Sequence, residues 1–248
     1  MPTDSAARIP FSGTASITEP RQRLIVALDV STVADAQRIV TAVGDSALTY
    51  KVGMQLYTAE GPSVVRDLVA SGRRVFLDLK YHDIPNTVGA AVREAAQLGV
   101  SMLTVHAFGA GRMLRAAVEA GSSAPEMMIL AVTVLTSMDD QELAAIGIAD
   151  NTGDQVSRLA KLAISQGCHG IVASPQEGSR LRSNLGDQFA IVTPGVRPVG
   201  GKMGDQARVA TPAEAIAAGA SHIVVGRPIT EAADPAAAAM AILEQIKS

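Results

Sequence analysis

The chain lacks the excess of basic residues that would suit a polyanionic partner. Its 21 Lys and Arg are set against 24 Asp and Glu, for a formal net charge of −3. That balance provides no electrostatic case for nucleic acid or an anionic membrane, although a local basic pocket for a small anion stays open. Cysteine is almost missing. Cys168 stands alone, which excludes an intramolecular disulfide framework and suits a reducing compartment. It follows Gly167 at the start of an apolar run and reads as core. No apolar stretch approaches the roughly 20 residues needed to span a bilayer. The opening segment "MPTDSAARIPFSGTASITEP" has no apolar stretch of the kind that directs secretion. Residues 1–20 are therefore expected to be a loosely ordered extension ahead of a catalytic domain over 21–248, and the cytoplasm is the expected location.

What is present is one repeated pattern. The 248 residues are 48% hydrophobic, enough for a substantial core, and a length of this order also suits a single α/β barrel. Eight short β-rich runs occur: Leu24 to Val30, Leu48 to Met54, Arg74 to Lys80, Met102 to Phe108, Met127 to Leu135, Gly170 to Pro175, Phe189 to Val196 and His222 to Ile229. Their near-continuous hydrophobicity is that of strands covered on both faces, as in parallel sheets. Ala-rich helical segments separate them. Ser31 stands ahead of "TVADAQRIV" as one helix start. "TPAE" from Thr211 to Glu214 combines a capping Thr, a Pro at the first helical position and a Glu three residues after the cap. Gly72, Gly99, Gly167 and Gly219 each fall between a helical segment and the next strand, where C-terminal glycines belong. Eight strands alternating with helices predict a single (β/α)8 TIM barrel. An open doubly wound sheet is the alternative, but no GxGxxG follows the first strand and no shift of composition marks a domain boundary.

A barrel directs attention to the C-terminal ends of its strands. Read in order, these carry Asp29, Lys51, Asp78 with Lys80, His106, Thr133 with Thr136 and Ser137, Ser174, Thr193 and Arg227. Charged residues make up only 18% of the chain, so their gathering on one rim is the feature to explain. A structural Lys–Asp bridge would account for one such pair, but it accounts less well for two lysines and two aspartates on the same rim. Asp78 and Lys80 are two residues apart and share a strand face with Phe76. Asp83 lies beyond the strand, where its direction is open. An ammonium beside a carboxylate at about 4 Å gains on the order of 4 kcal/mol at an effective dielectric near 20. Such a lysine stays charged. That argues against a Schiff-base aldolase, whose lysine must be a free amine, and favours a cation that stabilises developing negative charge and donates a proton.

The other side of the rim provides an anion handle. "TPGVRPVGGKMGDQ" from Thr193 to Gln206 is a glycine-rich, basic loop after the seventh strand, and "VGRPIT" follows the eighth. Loops at these two places commonly bind phosphate in this fold. Arg197 and Arg227 are expected to act as forks on the phosphate, with Gln206 as an amide donor. The two halves describe a phosphorylated small molecule anchored on one side and reacting over a lysine on the other.

The motifs "ALDV", "YKVG", "FLDLKYHDIPNTV", "VTVLTS", "VTPGVRP" and "VVGRPI" occur in this order over nearly all of the chain after the extension. Together they resemble the orotidine 5′-phosphate decarboxylase family in its short bacterial form. The resemblance implies decarboxylation of orotidine 5′-phosphate to UMP and carbon dioxide, with no cofactor and no metal. It makes Lys80 the general acid at the ring carbon and Asp78 the neighbour of the substrate carboxylate. Lys51 and Asp83 would complete an alternating Lys–Asp network. Asp29 and Lys51 would hold ribose hydroxyls, and Thr136 and Ser137 would lie near the pyrimidine. Pro194, Arg197, Gln206, Gly226 and Arg227 would border the phosphate. The residues matching Asp83 and Thr87 serve the neighbouring subunit's site in that family, which implies a homodimer. A nucleotide is the implied partner, with no role for nucleic acid or membrane.

Two alternatives are weighed against this. Magnesium-dependent sugar-phosphate lyases of the same superfamily share D-x-K-x-x-D but place a Glu at the end of the second strand, where this chain has Lys51, which would repel the ion. A non-catalytic phosphate binder would be marked by loss of Lys80 or Asp78, and both are present. His82, His106, His169 and His222 are too scattered to form a metal motif, and His106 is expected to be a hydrogen-bonded structural residue.

Overall fold

The structure is a computed structural model that describes residues 17, 19–198 and 210–247. Eight parallel strands close into a barrel in sequence order: β1 (Leu24–Leu28), β2 (Thr49–Gly53), β3 (Arg74–Tyr81), β4 (Met102–His106), β5 (Met128–Val132), β6 (Gly170–Val172), β7 (Ala190–Thr193) and β8 (His222–Val225). The closing pair, β8 with β1, aligns Leu24 with Ile223 and Val26 with Val225. Seven of the strands lie within the apolar runs read from the sequence, and β3 extends one residue past its run, to Tyr81.

Two layers of apolar side chains follow from the period of two along each strand. Ile25 and Ala27 of β1, Phe76 of β3, Met102 of β4, Leu130 of β5, Ala190 and Val192 of β7 and Val224 of β8 fill the barrel interior. The alternate residues, such as Leu24, Val26 and Leu28, face outward and pack into the much larger cluster between sheet and helices. Burial on both faces is why the runs are continuous rather than alternating. Cys168 is buried in the outer layer, and burial pushes its thiol up to about 12, so it behaves as core.

The helix boundaries follow local chemistry. Thr211 caps the helix Pro212–Ala217 in a reciprocal box with Glu214, and Pro212 occupies the first turn. The first crossover helix, Val33–Val43, is capped by Thr32, whose hydroxyl accepts from the Asp35 N–H, rather than by Ser31. Ser31 accepts instead from the Gln55 side chain. Gly72, Gly99, Gly167 and Gly219 all have φ between 76° and 102°, the left-handed region that a residue with a Cβ avoids. A short helix, Pro20–Arg23, leads into β1. No helix among the described residues is long and apolar enough to cross a membrane.

Candidate active site

At the C-terminal end of the barrel lies a cavity of about 670 Å³. Its floor is apolar, from Ala27, Phe76, Val132, Val172 and Val224, the uppermost residues of the interior layer. Its charged wall comes from adjacent strands. Lys51 is the last inward side chain of β2, and β3 brings Asp78 two residues beyond it in register, since Lys51 pairs with Phe76 and Gly53 with Asp78. Asp29 follows β1 on the other side.

Together with Lys80, near the end of β3, these three residues form one continuous chain of opposite charges. Lys51 Nζ lies 2.9 Å from Asp29 Oδ1 and 3.8 Å from Asp78 Oδ2. Lys80 Nζ donates to both carboxylate oxygens of Asp78 at 3.0 Å. The chain is driest at its middle: the Lys51 and Asp78 side chains are 12% and 14% exposed, Lys80 is 26% and Asp29 61%. Two ammonium groups and two carboxylates leave this wall formally neutral. Gly53 makes room for the pair, because a Cβ there would stand 3.0 Å from Lys51 Nζ.

Pro194 and Arg197 after β7 and Gly226 and Arg227 after β8 line the same cavity. In an eight-stranded ring, β3 and β7 are four places apart in either direction, so Lys80 and Arg197 belong to opposite sectors of the rim. Arg197 is held at the base of its loop by a backbone bond from its N–H to the Ala210 carbonyl, next to the Val196–Ala210 bridge. Gly226 precedes the four-residue helix Arg227–Thr230. Gln206 lies outside the described residues.

Thr136 lines the cavity, whereas Ser137 is exposed beside it and does not. Asp83 and Thr87 are exposed outside the cavity of their own chain. The Asp83 carboxylate accepts from the Ile84 N–H at 2.6 Å, and no ion pair joins it to Lys51 or Lys80 among the described residues. Within one chain, the alternating network is therefore Asp29–Lys51–Asp78–Lys80. Thr133 and Ser174 act structurally: Thr133 donates to the Val172 carbonyl, and Ser174 accepts from the Gln176 N–H. His106 departs from expectation. Its ring packs against His82 and Phe108, each with centroids 5.5 Å away, and its buried Nδ1 has no hydrogen-bond partner among the described residues. Burial, reinforced by His82 and Lys80, pushes its pKa down to about 4, so the ring is neutral at pH 7. No group of three His, Cys, Asp or Glu among the described residues could hold a metal ion.

Residues 22–242 match the family model described as "Orotidine 5'-phosphate decarboxylase / HUMPS family". The chain belongs to this family. It is 49% identical over 233 residues to the orotidine 5′-phosphate decarboxylase of Afipia carboxidovorans, covering 94% of this chain and 98% of the relative. It is 52% identical over 224 residues to the protein of the same name from Anaeromyxobacter dehalogenans, covering 90% and 98%. The crystal structure of orotidine 5′-phosphate decarboxylase from Lactobacillus acidophilus superimposes with a TM-score of 0.83 at 39% identity, covering 91% of this chain and 99% of that one. Family membership thus rests on almost the whole barrel.

Four polar cavity residues escaped the reading of strand ends: Asp35, Arg38, Thr230 and Glu231. Asp35, Arg38 and Thr230 sit on helices and Glu231 directly follows one, where no strand-end rule points. Thr104, inside β4, also went unremarked although it touches both Asp78 and Lys80. Its available signal was a polar residue at an inward position of "MLTVHAF", between Met102 and His106.

Proposed function

We propose that this chain decarboxylates orotidine 5′-phosphate to UMP and carbon dioxide in pyrimidine synthesis, without cofactor or metal. The observation that carries the reading is the Lys80 ammonium bonded at 3.0 Å to both oxygens of Asp78, across the rim from Arg197 and Arg227. The phosphate would be held by the two arginines with Gly226, Pro194 and Gln206 around it, while Asp29 and Lys51 take ribose hydroxyls. Thr136 and Ser137 would approach the pyrimidine.

The chemistry then follows from the charges. The substrate carboxylate is brought beside Asp78, and the bond from the sixth ring carbon to that carboxylate breaks. Carbon dioxide leaves and the electron pair remains on the ring carbon. Lys80, bonded to both oxygens of Asp78, stabilises that pair and delivers a proton to it, and solvent returns the proton to the lysine. Lys51 balances Asp78 from the other side. A Schiff base is disfavoured because the Lys80 amine is engaged as a cation.

Assembly is part of the same reading. Asp83 and Thr87 face away from their own cavity and are exposed together with His82 and Ile84, the last 67% exposed. This supports a homodimer in which each chain lends Asp83 and Thr87 to the other's site. The test of activity is incubation with orotidine 5′-phosphate in EDTA while the orotate absorbance is followed. Loss of absorbance is expected. A folded protein without turnover would sink the assignment, and turnover that needs added magnesium would favour a metal-dependent sugar-phosphate type of site.

A further inference from the structure

Strand β3 does not run regularly to its end. Phe76 pairs with Met102 and Leu77 with Leu103, but the next pair is Tyr81 with Val105. Three residues of β3, Asp78 to Lys80, thus stand against the single residue Thr104, and the ladder is interrupted there. Lys80 is also one of only two described non-glycine residues with positive φ, at 52°. A side chain in that region is strained and persists only where its surroundings hold it. The Lys80 N–H, turned out of the ladder, needs another acceptor.

Thr104 provides it. Its side chain is wholly buried, and its hydroxyl oxygen accepts from the Lys80 N–H at 2.9 Å. The same hydroxyl lies 3.0 Å from Asp78 Oδ1. Directions are settled by chemistry: an amide N–H can only donate, so the single hydroxyl proton is left for the carboxylate. One side chain on the neighbouring strand therefore grips the backbone of Lys80 and the carboxylate of Asp78 together. The β-branched side chain has few χ1 choices, so the grip is rigid.

Resting on the proposed roles of Lys80 and Asp78, we infer that Thr104 is a positioning residue for the reaction. It holds the β3 bulge open and fixes the two charged groups relative to each other without touching the substrate. Without the hydroxyl, the Lys80 amide is left buried and unpaired, the left-handed turn relaxes, and Asp78 loses one of the donors that set its plane. The loss falls on the geometry of proton delivery, not on the phosphate, whose wall belongs to β7 and β8.

The test is Thr104→Val, which keeps shape and removes the hydroxyl, beside Thr104→Ser, which restores it. Thr104→Val is expected to lower kcat about 10- to 100-fold with KM changed less than about threefold, and Thr104→Ser to stay within about threefold of wild type. Exchange of the Lys80 amide proton, followed by NMR without ligand, is expected to accelerate in Thr104→Val and not in Thr104→Ser. A folded Thr104→Val enzyme with wild-type kcat overturns the inference, as does a Thr104→Ser enzyme that loses as much as Thr104→Val. Should Thr104→Val not fold, the same comparison is made between Thr104→Ala and Thr104→Ser. Inactive wild-type protein would count against the proposed function alone, because the Lys80 exchange rate still reports whether Thr104 holds the bulge.

Discussion

Lys80 and Arg227 divide the proposed work between chemistry and binding, and two substitutions separate them. Lys80→Ala removes the proton donor but leaves the arginine wall intact. It is expected to abolish turnover while the variant still binds UMP, measured by calorimetry; substantial turnover would refute the proton-donor role. Arg227→Ala removes a charged fork from the phosphate sector. It is expected to weaken substrate binding by about 10- to 100-fold, the range for a charge-assisted hydrogen bond. A smaller loss in kcat should accompany it, because remote contacts also stabilise the transition state. Both charges were legible as residues because each stands toward the C-terminal end of an apolar run, where a barrel places its site. Thr104 was not, because a threonine within an apolar run is ordinary until its partners on β3 are seen.

Among the elements, the helix starts show how far local chemistry reaches. The box of Thr211 and Glu214 involves residues three apart, so its pattern could be read directly and the structure has it. Ser31 was misplaced by one residue because Thr32 competes for the same role and wins through Asp35. Gly178, by contrast, looks like any helix residue in Gly178–Leu185. A Cβ on it would stand 2.4 Å from the Ala218 carbonyl oxygen, a backbone atom that cannot swing aside. Gly178→Ala is therefore expected to destabilise the fold by about 1–3 kcal/mol, the usual range for overpacking, read as a lower urea midpoint at unchanged slope. An unchanged midpoint would mean that the two backbones part easily.

At the scale of the whole molecule, acid and assembly are the informative variables. His222 lies buried at the start of β8, and burial, with Arg74 and Arg23 adding to it, pushes its pKa down to about 3. The folded form thus keeps it neutral, while the unfolded chain takes up a proton below about 6.5. Stability from this residue is complete above pH 6.5 and is lost as pH falls toward 3. Its slope is on the order of 1 kcal/mol per pH unit in between. His106 acts in the same direction down to about 4. Urea midpoints at pH 7.5 and 5 are expected to differ less in His222→Asn than in wild type; equal differences would remove His222 from the account. Assembly is tested by mixing inactive Lys80→Ala and Asp83→Ala chains. Mixed dimers would each hold one intact site, so activity is expected to return to about a quarter of wild type, half of the dimers being mixed. No recovery between exchanging subunits would exclude the shared site.

The sequence by itself determined the eight strands, the capping box at Thr211, and the rim that carries Asp29, Lys51, Asp78, Lys80, Arg197 and Arg227. These follow from apolar runs, a two-residue period and hydrogen bonds between residues close along the chain. Only the tertiary structure decided which charges meet. Lys51 reaches residues 22 positions before it and 27 after it because barrel register lays β1, β2 and β3 side by side. Asp83, three residues past Lys80, is turned out of its own cavity, and the β3 bulge behind that turn is held by a hydroxyl 24 residues away on β4. Such distances are set by packing between strands, which no local pattern encodes.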